Sequence, residues 1–504
     1  MSALFLSFYF LIVLILSVFG LHRYYMTYVY YRARNNGPES CFFEELPYVP
    51  VITVQLPIYN ERYVVPRLIQ SVCDLDYPRD KIHIQVLDDS TDDTVSIAAY
   101  EVESYAKQGF HIEHIHRKNR EGYKAGALNE GLKVAQGEFV AVFDADFLPQ
   151  KDFLKKMIVH FFPKAREGKV PIDKIGMVQA RWGHLNRDYS LLTQAQSILL
   201  DGHFIIEHTA RNRTGCFFNF NGTAGIWRKA CVYDAGGWSG DTLTEDIDLS
   251  YRAQMAGWNF IYLKDVVCPA ELPVDINALK SQQHRWAKGS VQVAKKLLPQ
   301  ILKGPYPFRV KMEAFFHLAS NFTYLLMVLL SFLIPFSLYV RHGQGWDNML
   351  LIDLPLFLSA TWSISVFYYH SQKEIHAGLF SRLKYIPFSL SLGIGLCVNN
   401  AKAVVEGLLN QRGEFTRTPK YAVMKKGDSW KEKQYRGELN IVSFIEFFLT
   451  VYFSCAVVYL LKEGLYLSLP FILLFQVGFL YTATLSFLQS RSFAKLIPSF
   501  SPSV

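Results

Sequence analysis

The chain has 504 residues, of which 50% are apolar, 15% aromatic and 19% charged; that is ample for a full core and excludes a disordered chain. Its mean hydropathy of +0.11 averages two populations, apolar stretches of about 20 residues toward both ends and an ordinary globular composition between Phe42 and Pro299, the pattern of an integral membrane protein with a large soluble domain. The 52 Lys and Arg against 44 Asp and Glu leave a net charge of +8, but the basic residues crowd beside the apolar segments, so membrane topology accounts for them and no nucleic-acid partner is expected.

Leu4–Phe19 is almost wholly apolar, has no Lys or Arg before it and no small-residue cleavage site after it, so it reads as a retained anchor within residues 1–30. His22, Arg23, Arg32 and Arg34 follow. The positive-inside rule then puts the N-terminus outside and the next domain, residues 42–300, in the cytosol. Further spans are expected at Phe315–Val340 and Leu350–Tyr369 (residues 313–370), and at Ile441–Leu461 and Leu465–Leu488 (residues 440–490), with a cytosolic tail at 491–504, about five spans in all. Tyr385–Leu409 is also apolar but carries Asn399, Asn400, Lys402 and Glu406, and crossing there would place the eight Lys and Arg of Arg412–Arg436 outside. It is therefore expected to be an amphipathic interface helix leading into a cytosolic loop (385–438), with a sixth span as the alternative. The seven cysteines are scattered, odd in number and without a CxxC pair, as reduced cytosolic thiols would be.

Between Val51 and Gln179, β-branched runs alternate with helical patterns: Ile52–Leu56, Ile82–Leu87, Ile112–His116, Phe139–Phe143 and Gly176–Gln179. This predicts an α/β domain on a parallel, doubly wound sheet, with ligands in the crevice at the carboxyl ends of the strands. Those ends carry Pro57-Ile58-Tyr59-Asn60-Glu61, Asp88-Asp89-Ser90 and Asp144-Ala145-Asp146. No Gly-rich dinucleotide fingerprint or Walker loop is present. Asp144 and Asp146 suit Mg²⁺ or Mn²⁺ bridging a diphosphate, although Asp-X-Asp also forms Asx-turns. Asp88 and Asp89 have a helix-capping alternative. Lys124 stands where a helix begins, a place suited to phosphate. In Thr244-Glu245-Asp246 either carboxylate can accept a proton from a sugar hydroxyl, or the triplet caps a helix. Gln282-Gln283-His284-Arg285-Trp286 offers an amide, a phosphate-binding cation and an aromatic ring for a sugar, or else a helix snorkelling at the membrane surface.

The ordered set Asp88-Asp89, Asp144-x-Asp146, Thr244-Glu245-Asp246 and Gln282-x-x-Arg285-Trp286 resembles the D, DxD, TED, QxxRW signature of processive family 2 glycosyltransferases. Longer strings, among them Gln85–Asp92, Gly122–Leu128, Val178–Trp182 and Phe220–Trp227, resemble the plant cellulose-synthase-like enzymes that make β-1,4-mannan, glucomannan or a glucan backbone, and a bacterial relative fits equally. The resemblance implies a glycosyltransferase-A-type, Rossmann-like cytosolic domain between transmembrane helices of a plasma, inner or Golgi membrane. It implies donor binding by Asp88 or Asp89, Lys124, Asp144, Gln282 and Arg285, with metal on Asp144 and chiefly Asp146. Asp246, with Glu245 beside it, would be the catalytic base. Trp286 would floor the acceptor sugar, with Phe220, Asn221, Gly222 and Thr223 as its collar. A gating loop of FxVTxK type has its counterpart in Phe415-Thr416-Arg417-Thr418-Pro419-Lys420. The partners implied are a nucleotide sugar (UDP-glucose favoured over GDP-mannose), a growing polysaccharide, the bilayer and any accessory subunits. A non-processive transferase to a lipid acceptor is the runner-up, which the Gln282–Trp286 motif disfavours; a transporter would need inverted repeats that are not seen.

Overall fold

The computed structural model describes residues 2–37, 41–162, 174–345, 355–356, 358–375, 382–411, 417–430, 432–433, 435 and 439–490. All five expected strands form: β1 (Ile52–Ile58), β2 (Ile82–Asp88), β3 (Ile112–His116), β4 (Phe139–Val142) and β5 (Ile175–His184). Two more join them, β6 (Gly225–Arg228) and β7 (Asn259–Ala270), in the order β3-β2-β1-β4-β6-β5-β7. The sheet is mixed rather than parallel, because β6 runs antiparallel to both β4 and β5. The sequence hides both additions: β6 is four residues long, and Lys264 and Asp265 interrupt the apolar pattern of β7.

The antiparallel insertion positions the site. Val142, the last residue of β4, pairs with Gly225, the first of β6, so the loop entering β6 lies on the edge where β1, β2 and β4 end. β5 and β7 run parallel to each other and finish there too. Burial of both faces keeps the strands apolar. The main exception is the amide pair Gln55 and Gln85, which face each other in the β1–β2 register and hydrogen-bond at 3.1 Å. A buried amide without a partner is costly, so the pair also favours this register.

Four helices among the described residues are long and apolar enough to cross a membrane, Ala3–Ala33, Phe308–Gly343, Ile441–Lys462 and Tyr466–Gln489. Of the expected span at Leu350–Tyr369, residues 350–354 and 357 lie outside the described residues, and Ser363–Ile375 is helical. The stretch expected as one interface helix is instead a pair, Ile386–Gly395 and Cys397–Leu408, bent by 45°. Its first half packs on the Leu469–Gln489 helix so closely that a Cβ on Gly395 would stand 2.5 Å from the Gly478 carbonyl oxygen. Its second half turns Glu406 to His284 (3.1 Å) and Lys288 (3.0 Å) of the long helix Ile276–Lys303. Asn399 and Asn400 of that half are buried, and Lys402 stays exposed.

That long helix follows β7 and is fastened to the apolar helices by a buried ion pair. Lys280 Nζ lies 2.5 Å from Glu446 Oε2 and 2.6 Å from Ser486 Oγ. All seven cysteines are free. Lys280→Met strands a buried carboxylate and is expected to destabilise the protein by about 3–5 kcal/mol, read as a lowered unfolding midpoint in nanodiscs; the double variant Lys280→Met/Glu446→Leu should recover most of the loss.

Candidate active site

A cleft of about 190 Å³ opens at the carboxyl edge of the sheet, lined by Tyr59, Glu61, Asp89, Lys124, Asp144, Asp146, Asn221, Gly222, Glu245, Asp246, Gln282, Arg285, Trp286, Arg417, Thr418 and Lys420 among others. Residues far apart in sequence meet there because each follows a strand end or opens a helix.

At the β2 end the two aspartates part ways. Asp88 is fully buried, lies 2.9 Å from His114 and accepts the Ser90 N–H at 2.8 Å. Burial disfavours its charge, but these hydrogen bonds prevail and hold its carboxyl below the usual range. Asp89 borders the cleft and is gripped by both arms of Arg117, at 2.7 and 2.5 Å.

Lys124 lies in the first turn of the helix Tyr123–Val134, behind Gly122 in the left-handed conformation (φ 69°). Its ammonium donates to Asp144 at 2.5 Å and to the Gly222 carbonyl at 2.9 Å, and stands 3.8 Å from Glu245. Burial opposes the lysine's charge, yet Asp144 and Glu245 together raise its pKa. The Asp144 N–H donates to Thr223 Oγ1 at 2.9 Å, tying the β4 end to the β6 loop. Gly222 has φ 80°, and a Cβ there would reach Asp246 Oδ2 at 3.2 Å and Lys124 Nζ at 3.4 Å, so both conformation and space call for glycine.

Thr244 stands at the N-cap position of the helix Glu245–Met255 without a side-chain capping bond, which puts Glu245 and Asp246 in the first turn. Both borders of the triplet's two readings are met: it starts a helix and it faces the cleft. Burial, and then the charge of Glu245, push the Asp246 carboxyl up to about 7, with Lys124 opposing. Gln282, Arg285 and Trp286 project from the Ile276–Lys303 helix onto the cleft, and Trp286 lies 6.4 Å from Trp182. Burial lowers the Arg285 pKa to about 10, against the pull of Glu245 and Asp144. Arg285 donates to Thr418 Oγ1 at 2.7 Å, Lys420 reaches Asp146 at 2.5 Å and Arg417 reaches Glu61 at 3.1 Å.

Residues 50–289 match the family described as "Glycosyltransferase like family 2". The chain is 41% identical over 294 residues to glucomannan 4-beta-mannosyltransferase 1 of Oryza sativa subsp. japonica (58% of this chain, 54% of that protein). It is 45% identical over 258 residues to glucomannan 4-beta-mannosyltransferase 2 of Arabidopsis thaliana (50% and 47%). It is 41% identical over 369 residues to probable glucomannan 4-beta-mannosyltransferase 3 of O. sativa (72% and 64%). The chain carries a family 2 glycosyltransferase domain. It spans about half the length of the curated relatives it matches. In fold, the domain and its flanking helices are similar to the solved mannosyltransferase PcManGT from Pyrobaculum calidifontis in complex with GDP-Man and Mn²⁺, with a TM-score of 0.51 at 20% identity over 80% of this chain and 99% of that one.

Within the glycosyltransferase domain the structure corrects three expectations. Asp88 turns inward to His114, so of the aspartate pair only Asp89 borders the cleft. Phe220 is fully buried, with its ring edge-on to Trp227 in the core behind β6, and Thr223 is buried beneath Asp144; of the four residues expected as a collar, Asn221 and Gly222 line the cleft. Phe220 and Thr223 turn to the core on either side of Asn221 and Gly222, which the loop holds against the cleft. Phe415 lies outside the described residues, whereas Arg417, Thr418 and Lys420 enter the cleft. Sequence reasoning assigned no role to Glu61, Arg117, Arg120 or Trp182. Glu61 and Trp182 sit in strings quoted above, and the signal for Glu61 was its place just past a strand end. Burial pushes its carboxyl up to about 8, with Arg417 opposing.

No cluster of three or more metal-type ligands occurs among the described residues. Two carboxylates are nevertheless the usual protein share for Mg²⁺ or Mn²⁺ when a diphosphate supplies further oxygens. Asp144 and Asp146 both face the cleft, and each is neutralised by a lysine ammonium where a cation would sit, so the donor set fits. Asp146→Asn is expected to weaken Mn²⁺ binding, followed by electron paramagnetic resonance without nucleotide. Lys420→Met, which removes a competing charge, should strengthen it roughly tenfold; no change in either variant would reject Asp146 as the ligand.

Proposed function

We propose that the protein is a membrane-embedded, inverting, processive glycosyltransferase that extends a β-1,4-linked mannan-type polysaccharide from GDP-mannose at a cytosolic active site and passes the chain out between its apolar helices. The observation that carries this reading is the placement of Asp246 and Trp286 in one cleft with Asp89, Lys124, Asp144 and Arg285: a base, a sugar-stacking ring and a diphosphate-binding set within reach of one another. The names of the relatives favour a mannosyl donor, and the leaning toward UDP-glucose is withdrawn. The family match over residues 50–289 spans the motifs from Asp88 through Trp286.

In this mechanism Asp89 holds the nucleotide, while Lys124 and Arg285 meet the diphosphate with fixed charge in a site largely shielded from water. A divalent ion held by Asp144 and Asp146 would neutralise further charge on the departing diphosphate. The terminal sugar of the acceptor stacks on Trp286 beside Asn221 and Gly222. Its hydroxyl oxygen attacks the anomeric carbon of the donor, its proton passes to Asp246, and the bond to the nucleoside diphosphate breaks. One displacement inverts, so an α-linked donor yields a β-linked product. With Lys420 on Asp146 and Thr418 on Arg285, the 417–420 segment fills the donor's place and moves aside when the donor enters.

Asp246→Asn is expected to abolish transfer while leaving GDP affinity within about twofold, because the base is lost and no phosphate contact is. Near-normal turnover would reject the role. The pH dependence has a definite sign: Asp246 acts only when ionised and its carboxyl sits at about 7, so kcat/KM should fall about tenfold per unit as pH drops below that value. The reading as a whole is tested by incubating the purified protein with radiolabelled GDP-mannose or UDP-glucose and sizing the products before and after β-mannanase or β-glucanase. A long mannanase-sensitive polymer is expected; a single-sugar lipid product would overturn it.

A further inference from the structure

A second cavity, of about 500 Å³, lies beside the catalytic cleft. It is bounded by the segment Gly240–Leu243, by Gln292, Lys295 and Lys296 of the Ile276–Lys303 helix, and by Asn410 just past the Cys397–Leu408 helix. Leu243 borders both spaces. Gly240 packs on the start of the helix that carries Lys124, so closely that a Cβ there would stand 2.8 Å from Gly122 Cα. The transfer chemistry uses none of the polar side chains of this second cavity.

Three of those side chains hold unused donors. Thr242 is only 8% exposed, and its hydroxyl has no hydrogen-bond partner in the protein; a buried polar group in that condition is costly and calls for an occupant of the cavity it lines. Gln292 gives its amide oxygen to the Leu243 N–H at 2.9 Å, which leaves its NH2 to donate elsewhere. Lys295 donates to the Leu408 carbonyl at 2.6 Å and to Asn410 Oδ1 at 2.7 Å, both neutral acceptors. Among the described residues no carboxylate pairs with it.

The charges around the cavity are in positive surplus. Glu406 is shared by Lys288 at 3.0 Å and Lys402 at 3.9 Å, and Asp248 by Arg252 at 2.6 Å and Lys296 at 2.7 Å. Asp241, 2.9 Å from Lys296, adds one more carboxylate. With Lys295, five cations thus face three carboxylates. A neutral ligand would leave that surplus unmet, whereas an ammonium, a hydroxyl and an amide NH2 around one space match the oxygens of a phosphate group. Val405, Leu408 and Leu409 next to it are exposed and apolar, so a phosphate carried by a lipid has a surface for its acyl chains, and basic pockets between membrane helices hold such head groups; a soluble phosphate ester meets the same polar contacts. We infer that the cavity between Gly240–Leu243 and the Ile276–Lys303 helix is a binding site for a phosphate group, separate from the donor cleft. Its occupant bears on the segment that leads into Glu245 and Asp246.

The test is calorimetric titration of inorganic phosphate into the full chain in phosphatidylcholine nanodiscs. Lys295→Gln is expected to weaken phosphate binding about tenfold while leaving GDP affinity unchanged, and Arg285→Gln, which disables the cleft, should weaken GDP binding and leave this phosphate in place. Thr242→Val should weaken phosphate binding several-fold; because its hydroxyl has no protein partner, the unfolding midpoint of that variant should not fall. Mass spectrometry of chains released from nanodiscs that contain phosphatidylglycerol names the source: one retained lipid per chain, lost in Lys295→Gln, assigns a lipid head group, and phosphate binding without a retained lipid assigns a soluble ester. The site is overturned if the unaltered protein holds neither phosphate nor lipid outside the cleft, or if Lys295→Gln holds both as the unaltered protein does.

Discussion

Everything about the cleft turns on neutralising carboxylates gathered in a partly buried space. Glu61, Asp144, Asp146, Glu245 and Asp246 border it, and in isolation they would repel one another and resist ionisation. Lys124, Arg285, Arg417 and Lys420 are brought in from a helix start, the long helix and a distant loop to meet them. Lys124 is the hub, since it touches Asp144, the Gly222 carbonyl and the surroundings of Glu245 at once. The balance is incomplete at Asp246 and Glu61, whose carboxyls are pushed up to about 7 and about 8. For Asp246 that residual imbalance suits the proposed role as base, because a base with a pKa near neutrality both ionises and holds a proton.

The architecture supplies these charges from different directions. Parallel strands β1, β2 and β4 deliver Glu61, Asp89, Asp144 and Asp146 just past their ends, and the antiparallel β6 brings its entry loop to the same edge. The Ile276–Lys303 helix leaves β7 there and carries Gln282, Arg285 and Trp286 onto the cleft. It is pinned to the apolar helices through Lys280–Glu446–Ser486 and through Lys288–Glu406. A shift of those helices would therefore be felt at Trp286. The network from Asn221 through Glu207 to Arg23 makes a second link between the catalytic domain and the apolar helices.

Much of this was legible in the sequence. Five strands followed from alternating β-branched runs, the ligand edge from the motifs at their ends, and the family from four short motifs in order. The apolar helices followed from hydropathy, and the paired uses of Thr244-Glu245-Asp246, as helix start and as cleft carboxylates, were both visible. These features are local, written in periodicity or in adjacent residues, and local patterns survive in a linear reading.

What only the tertiary structure decided is which of two neighbouring candidates faces the site and what neutralises it. Asp88 and Asp89 are indistinguishable by composition; the strand's alternation turns one to His114 and leaves the other at the cleft. In the loop before β6, Phe220 and Thr223 turn inward while Asn221 and Gly222 line the cleft. The antiparallel course of β6 and the bend between Ile386–Gly395 and Cys397–Leu408 depend on packing against distant elements. The partnerships of Lys420 with Asp146 and of Arg23 with Glu207 join residues 274 and 184 positions apart. Electrostatic partners are chosen by distance in space, and a sequence does not state that distance until the chain has folded.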